Sequence, residues 1–272
     1  AVVAVSPGLA RHNRTGLAGL GISLSQRQLS ARNLLDIERV RLGAQAPAPD
    51  AFTALKDEHD FVLTTMGRMS VEKNQAALVE AVALLREQDG ARSDDPGDGT
   101  EDDSTQGLNI GLAIVGSGVL EGTLRARIDS LGLAGHVTLL GQMGNPFPVL
   151  GGADLFVLPS LHEGQPVTLL EAMTLGTAVV ASDLPGNREL ITLGYGVLSG
   201  TSPQDIAQAI RTVLADPLRA RGIFDVQEHN ARSLRDTLDA VLGSEALHQQ
   251  SKEDEASPRS RCSRAASQGA IA

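Results

Sequence analysis

Apolar positions along this chain follow two alternating rhythms. Short, β-branched runs appear at "FVLTTMG", "NIGLAIVGSG", "HVTLLGQM", "ADLFVLPS" and "TAVVASD". Between them apolar residues recur three and four apart: Leu78, Val79, Val82 and Leu85, then Leu124, Ile128 and Leu131, then Val167, Leu170 and Met173. The first rhythm predicts strands buried on both faces, and the second predicts amphipathic helices. Alternation of the two with short connections predicts an α/β fold, a Rossmann-like parallel sheet with helices on both faces. "SPQDIAQAIRTVLAD" and "SLRDTLDAVLG" predict closing helices.

The flanks break this rhythm. Residues 1–50 begin with a short apolar strand (Val2 to Val5) and a Ser6-Pro7-Gly8 turn, and they end in the linker-like "GAQAPAPD". A buried-type strand needs neighbours on both sides, so this region is expected to be the remnant of a larger domain. Residues 51–243 form the α/β domain, with an acidic insertion at 88–106, and residues 244–272 lack apolar periodicity and are expected to be disordered. An insertion in a loop is tolerable because closure entropy grows slowly with length.

Composition narrows the function classes. The formal net charge is −10, which argues against a general nucleic-acid binder. Much of it is local: residues 89–103 carry seven acids and one Arg, the signature of a solvated loop. With no Trp, one Tyr and five Phe, the core must be built from Leu, Val, Ile and Ala. The single cysteine, Cys262, can make neither an intrachain disulfide nor a Cys-based metal site. No run is apolar enough to span a bilayer, and the start does not read as a signal peptide. A cytoplasmic setting is the expectation, compatible with peripheral membrane contact.

In an open parallel sheet, ligands collect at the carboxyl ends of the strands. The first expected strand ends in "MGRMSVEKN", which places Gly67, Arg68 and Lys73 ahead of a helix N-terminus. Cations there suit an anion, although an ordinary capped helix with solvated basic residues explains the segment equally simply. The second strand ends in "VGSGVLEG", whose Gly116 and Gly118 permit close backbone approach; without a third glycine this is not the dinucleotide fingerprint. The third ends in "GQMGNPFPVL", a turn-rich loop.

The fourth strand leads into "LHEGQPVTLLEAMTLG". Pro166 suits the first turn of a helix, and Gly176 suits its C-terminal stop. Glu163 then precedes the helix, and Glu171 lies roughly 7 Å farther along its axis. The helix N-terminus between them is a natural diphosphate seat. Carboxylates only accept hydrogen bonds, which suits paired hydroxyls at the two ends of a nucleotide sugar.

These segments carry a resemblance. "GRMSVEKN", "GSGVLEGTL", "EGQPVTLLE" (an E-x7-E pattern) and "GTAVVASDLPGNREL" come in the order seen in family 4 retaining glycosyltransferases. Residues 61–243 resemble the C-terminal donor-binding domain of that family, whose GT-B fold has two Rossmann-like domains. "GQMGNPFPVL" and "HEGQPVTLLEAMTLG" are most similar to bacterial domains associated with cell-wall glycerophosphate polymer enzymes, which suggests cell-envelope glycan or polymer synthesis.

The resemblance implies transfer of a sugar, with retention, from a nucleotide-diphosphate sugar such as a UDP- or GDP-sugar, with no obligatory metal or cofactor. Arg68 and Lys73 would bind and stabilise the diphosphate, Glu163 would contact the transferred sugar, and Glu171 the ribose. Gly164, Gln165 and Pro166 would set backbone groups near sugar and phosphates. Many relatives carry an aromatic residue where this chain has Gln165. His12 and His162 are given no catalytic role. The family's N-terminal acceptor domain is expected to be largely missing, with "VVAVSPGLARHNR" and "ARNLLDIERVR" as its remnant. Two alternatives therefore stay open: a truncated, non-catalytic nucleotide-sugar-binding or interaction domain, and a nucleotide-sugar epimerase. The sugar, base and acceptor are not specified.

Overall fold

The computed structural model describes residues 2–4, 28–30, 33–90, 109–191, 195–216 and 224–242. His12, Cys262, most of the acidic insertion and the C-terminal tail lie outside these residues. The described chain divides into two compact units, one from Leu35 to Gln227, the other joining Ala1–Leu34 to Glu228–Ala272. The boundary expected at residue 50 thus falls inside the larger unit. In the smaller unit, strands β1 (Val2–Ala4) and β2 (Gln28–Ser30) pair in parallel, and the His229 ring donates to the Asn33 carbonyl at 3.2 Å.

The larger unit is built on a six-stranded, all-parallel sheet. Its strands are β3 (Phe61–Met66), β4 (Ile110–Val115), β5 (Val137–Gly141), β6 (Leu155–Leu158), β7 (Ala178–Ser182) and β8 (Val197–Ser199). The spatial order is β5-β4-β3-β6-β7-β8, the doubly wound arrangement in which strand order reverses between β3 and β6. The α/β, Rossmann-like expectation therefore holds.

Alternation along each strand sends its side chains to two opposite cores. Leu63, Leu112, Ile114, Leu155, Val157, Ala178 and Val180 point to one face, with α3 (Gln75–Gly90), α4 (Glu121–Ser130) and α8 (Pro203–Ala215). On the other face Phe156, Leu158, Val179 and Ala181 meet α1 (Ile37–Gly43), α5 (Phe147–Gly152), α6 (Val167–Thr174) and α7 (Pro185–Ile191). Val62, Ala113 and Val115 pack there on Phe52 and Leu55 of α2 (Asp50–Glu58). The last described helix, α9, spans Val226–Leu242.

Several elements differ from the sequence expectation. The turn-rich "GQMGNPFPVL" ends in α5, whose Phe147, Pro148, Val149 and Leu150 are all buried. Proline is tolerated in a helix's first turn, where its missing N–H has no intrahelical partner to serve. The first residues of the expected insertion, 88–90, continue α3. β8, α2 and α7 add elements that the periodicity did not single out.

Two strand-end loops pack backbone against backbone. A Cβ on Gly116 would lie 2.0 Å from the Gly67 carbonyl oxygen, and Gly116 already sits at φ 131°. Gly122, in the first turn of α4, has nothing within 4 Å of the same position. Gly116→Ala should therefore cost about 2 kcal/mol or more, through overpacking and backbone strain. Gly122→Ala should be neutral or stabilise by up to ~1 kcal/mol. Urea denaturation midpoints of the two variants check this contrast.

Candidate functional site

The site is built where β3 and β6 diverge. Their paired residues are Leu63 with Leu155 and Thr64 with Phe156; past these the chains leave for helices on opposite faces. After β3 the chain runs through Gly67–Ser70 into a short 3-10 turn, Val71–Lys73, and then Asn74 at φ 53° and ψ 31°. Asn74 is the one non-glycine residue at positive φ among the described residues, a conformation that Asn adopts more readily than most. Its amide donates to the carbonyls of Pro159, 3.1 Å away, and Thr201, 3.0 Å away. The Leu161 N–H donates to the Glu72 carbonyl at 2.7 Å. Together these bonds tie the β3 loop to the end of β6 and to the segment after β8.

That tie brings Lys73 against Glu163. Their side chains form an ion pair on Glu163 Oε1, with only 26% and 10% of the respective side chains exposed. Ser160 Oγ donates to the same Oε1 at 2.7 Å. The residues expected to serve a diphosphate and a sugar are thus in direct contact, ninety positions apart in sequence. Gly67 lies beside the Lys73 stem, which would be 3.4 Å from an added Cβ.

Arg68 is exposed, but the backbone around it is fixed. Gln75, buried, donates from its side chain to the Arg68 carbonyl at 2.9 Å. Met69 is fully buried and exchanges backbone bonds with the next loop: its N–H donates to Ser117 O, and its carbonyl accepts from Leu120 N. Gly67, Arg68, Gly116 and Gly118 line one cleft of about 520 Å³, together with Gln142, Met143 and Pro146 of the loop after β5. The space that a side chain on Gly116 or Gly118 would fill belongs to the Gly67 and Met69 backbone. Their close approach is therefore to the neighbouring loop, which the sequence pattern alone did not indicate.

The Glu163–Gly164–Gln165–Pro166 segment runs into α6. Pro166 is the N-cap at φ −77° and ψ 112°, so the helix starts one residue later than Pro166 itself. Gly164 packs on α7: a Cβ on Gly186 would lie 1.8 Å from the Gly164 carbonyl. Gln165 is buried at the same junction. At the far end Gly176 adopts φ 76°, its N–H donating to Met173 O while the Thr177 N–H donates to Ala172 O, the pair of hydrogen bonds that terminates a helix on a left-handed glycine.

Glu171 sits in a different environment. It lies on α6 within reach of the Arg39 charge on α1, and Arg39 itself rests over the Phe147 ring, 5.4 Å from its centroid. Burial pushes the Glu171 carboxyl up from 4.5 to about 7, with the Arg39 charge opposing the shift. At neutral pH Glu171 is therefore poised between its acid and its carboxylate. Across the loop, Glu72 is held below the usual carboxylate range, first by the Ser70 hydroxyl. Among the described residues no three His, Cys, Asp or Glu side chains cluster as metal ligands would.

Sequence reasoning did not single out Ser160, Ser182, Asn187 or Gly186. Ser160 carried a weak signal: a small polar residue two positions past an apolar strand.

Comparisons with known proteins agree with this architecture. The sequence model of the family described as glycosyl transferases group 1 matches residues 49–250. A Campylobacter jejuni N-acetylgalactosamine-N,N'-diacetylbacillosaminyl-diphospho-undecaprenol 4-alpha-N-acetylgalactosaminyltransferase is 29% identical over 220 residues, covering 78% of this chain and 52% of its own. A Mycobacterium tuberculosis GDP-mannose-dependent alpha-(1-6)-phosphatidylinositol dimannoside mannosyltransferase is 29% identical over 163 residues, covering 59% of this chain and 37% of its own. The crystal structure of Anabaena HepE in complex with UDP and glucose superposes with a TM-score of 0.60 at 21% identity, over 92% of this chain and 63% of that one. The chain thus spans about half or less of the curated relatives named here, and the structural match shows the shared fold. With the family model covering most of the sequence, including every strand of the larger sheet, the chain belongs to the group 1 glycosyl transferases.

Proposed function

We propose that this chain supplies the donor half of a retaining glycosyltransferase, which moves a sugar from a nucleotide-diphosphate sugar to an acceptor in bacterial cell-envelope glycan or polymer synthesis. The observation that carries the reading is the contact between Lys73 and Glu163 at the sheet's switch point, beside an open cleft. Doubly wound sheets bind nucleotides at that place. Lys73 and Arg68 take the diphosphate, Glu163 takes the transferred sugar, and Glu171 takes the ribose hydroxyl pair. The cleft beside Gly67 and Gly116 has room for the nucleoside.

The chemistry follows from charge. As the bond to the sugar breaks, the anomeric carbon becomes cationic and the diphosphate gains negative charge. Cations aimed at the leaving group stabilise that state more than the ground state. Glu163 and Glu171 lie on the donor and need not flank the scissile bond as acid and base would in a hydrolase. The relatives' names support lipid-linked acceptors: the Campylobacter and mycobacterial enzymes act on an undecaprenol-diphosphate-linked saccharide and a phosphatidylinositol dimannoside respectively. A non-catalytic nucleotide-sugar-binding role is the second reading. A panel of lipid-linked and soluble acceptors, assayed for product with UDP- and GDP-sugars, separates the two.

Calorimetry with UDP, GDP, UDP-glucose and GDP-mannose tests the donor site. Glu171→Ala should weaken the free nucleoside diphosphate and the nucleotide sugar alike, by about tenfold for a lost charged hydrogen-bond acceptor. Glu163→Ala should weaken mainly the sugar-bearing form. Equal affinities in all three proteins would rule out this division.

A pH series adds an independent check on Glu171. Its folded carboxyl titrates at about 7 instead of 4.5, so between those values the folded chain keeps a proton that the unfolded chain has released. Its contribution to stability is therefore greatest below about 4.5 and is lost as pH rises through about 7. Hydroxyl binding needs the carboxylate, so nucleotide affinity should rise over that same window. Glu171→Gln should remove both trends; identical pH profiles for denaturation and binding in parent and variant would exclude the role.

A further inference from the structure

We infer that Ser160 is a positioning residue for Glu163, holding its carboxylate toward the donor's sugar, with Ser182 and Asn187 fixing Ser160 from beneath. The inference rests on the donor-site reading above and adds residues that reading does not use. Glu163 sits in the loop between β6 and α6, and its Oε1 has two donors: Lys73 Nζ and Ser160 Oγ, the latter at 2.7 Å. On the donor-site reading Lys73 turns toward the diphosphate. Its long, flexible stem permits this. Ser160 is then the protein partner that stays with the carboxylate.

Ser160 is suited to that task because it cannot move. It is fully buried, so its hydroxyl has no solvent to turn to, and a hydroxyl donating to a carboxylate makes a charge-assisted bond. Its backbone is held too. Ser182 Oγ donates to the Ser160 carbonyl at 2.5 Å and lies 3.1 Å from that of Leu158. Asn187 in turn donates from Nδ2 to the Ser182 carbonyl at 2.8 Å. All three side chains are fully buried. A chain of buried polar side chains, each donating to the next segment, therefore runs from α7 through the end of β7 to the end of β6, and it terminates on the carboxylate. Of its side-chain polar atoms, Asn187 Oδ1 is left without a hydrogen-bond partner. Buried donors are costly unless bonded, so the Ser160, Ser182 and Asn187 donors favour this one arrangement of the loop. The polar chain and the contact of Gly186 with the Gly164 carbonyl both locate the Glu163 loop from the same helix.

The test is calorimetry on the full chain and on Ser160→Ala, with UDP against UDP-glucose and GDP against GDP-mannose. Loss of the hydroxyl should weaken the nucleotide sugar about tenfold while the free nucleoside diphosphate stays within about twofold. A role confined to stability would weaken both forms together. Equal losses, or no loss, overturn the positioning role. Ser182→Ala should show the same split at smaller size, and it decides the question if Ser160→Ala does not fold. If the parent chain binds none of the four compounds, the donor-site reading falls and takes this inference with it. Binding by the parent without the split overturns the positioning role alone.

Discussion

Past Thr64 and Phe156, β3 and β6 cease to pair, and the backbone groups that a sheet would have satisfied must find other partners. The rest of the site depends on how that is done. One carboxamide, Asn74, bonds two carbonyls from two different segments, and one backbone bond runs from Leu161 to Glu72. Without them the two loops would be free to splay, because nothing in the sheet itself joins them there. With them, a cation from one loop and a carboxylate from the other share a single oxygen. The left-handed backbone at Asn74 is a consequence of the same requirement: the chain must turn sharply from a 3-10 turn into α3 while its amide reaches across.

Around this tie the frame is made of backbone packed on backbone. Gly116 against Gly67, Gly118 against Met69, and Gly186 against Gly164 leave no room for a side chain. Such contacts are stiff, since a carbonyl cannot rotate away as a long side chain can. The site therefore combines rigid loops with a few mobile groups, chiefly the Lys73 and Arg68 stems. The two glutamates divide along the same line. Glu163 is neutralised by a cation and a hydroxyl, whereas Glu171 is desolvated with only Arg39 to offset the loss. Two acids eight positions apart thus have different ground states, and only the first is paired before any ligand arrives.

Much of this was legible in the sequence. The five apolar runs became β3 to β7, because strands covered on both faces require uninterrupted apolar residues. Gly176 was readable as a helix stop because few other residues adopt its φ cheaply. What escaped was short or non-local. β8 is three residues long and only partly buried, below the length at which alternation can be recognised. α5 is hidden by two prolines and an asparagine that read as a turn. The Ser160–Ser182–Asn187 chain could not be read as a chain. Each residue is an ordinary small polar one, and only the tertiary fold sets them end to end.

The ion pair also constrains what kind of ligand the site can accept. Lys73 and Glu163 are largely withdrawn from water, so breaking their pair leaves two poorly solvated charges unless both are met again. A phosphate alone meets only the lysine. Hydroxyls alone meet only the carboxylate. A ligand that carries an anion and a hydroxyl pair side by side meets both in one event, and a nucleotide-diphosphate sugar has that arrangement. On the proposed donor-site reading, selectivity for the intact donor would need no separate recognition element, because it would follow from the requirement that neither member of the pair be left buried and alone. On the reading proposed above, the Ser160 hydroxyl would lower the cost of the exchange on one side only, staying with Glu163 while the lysine changes partner. That asymmetry would make the carboxylate the fixed reference of the site and the cation its moving part.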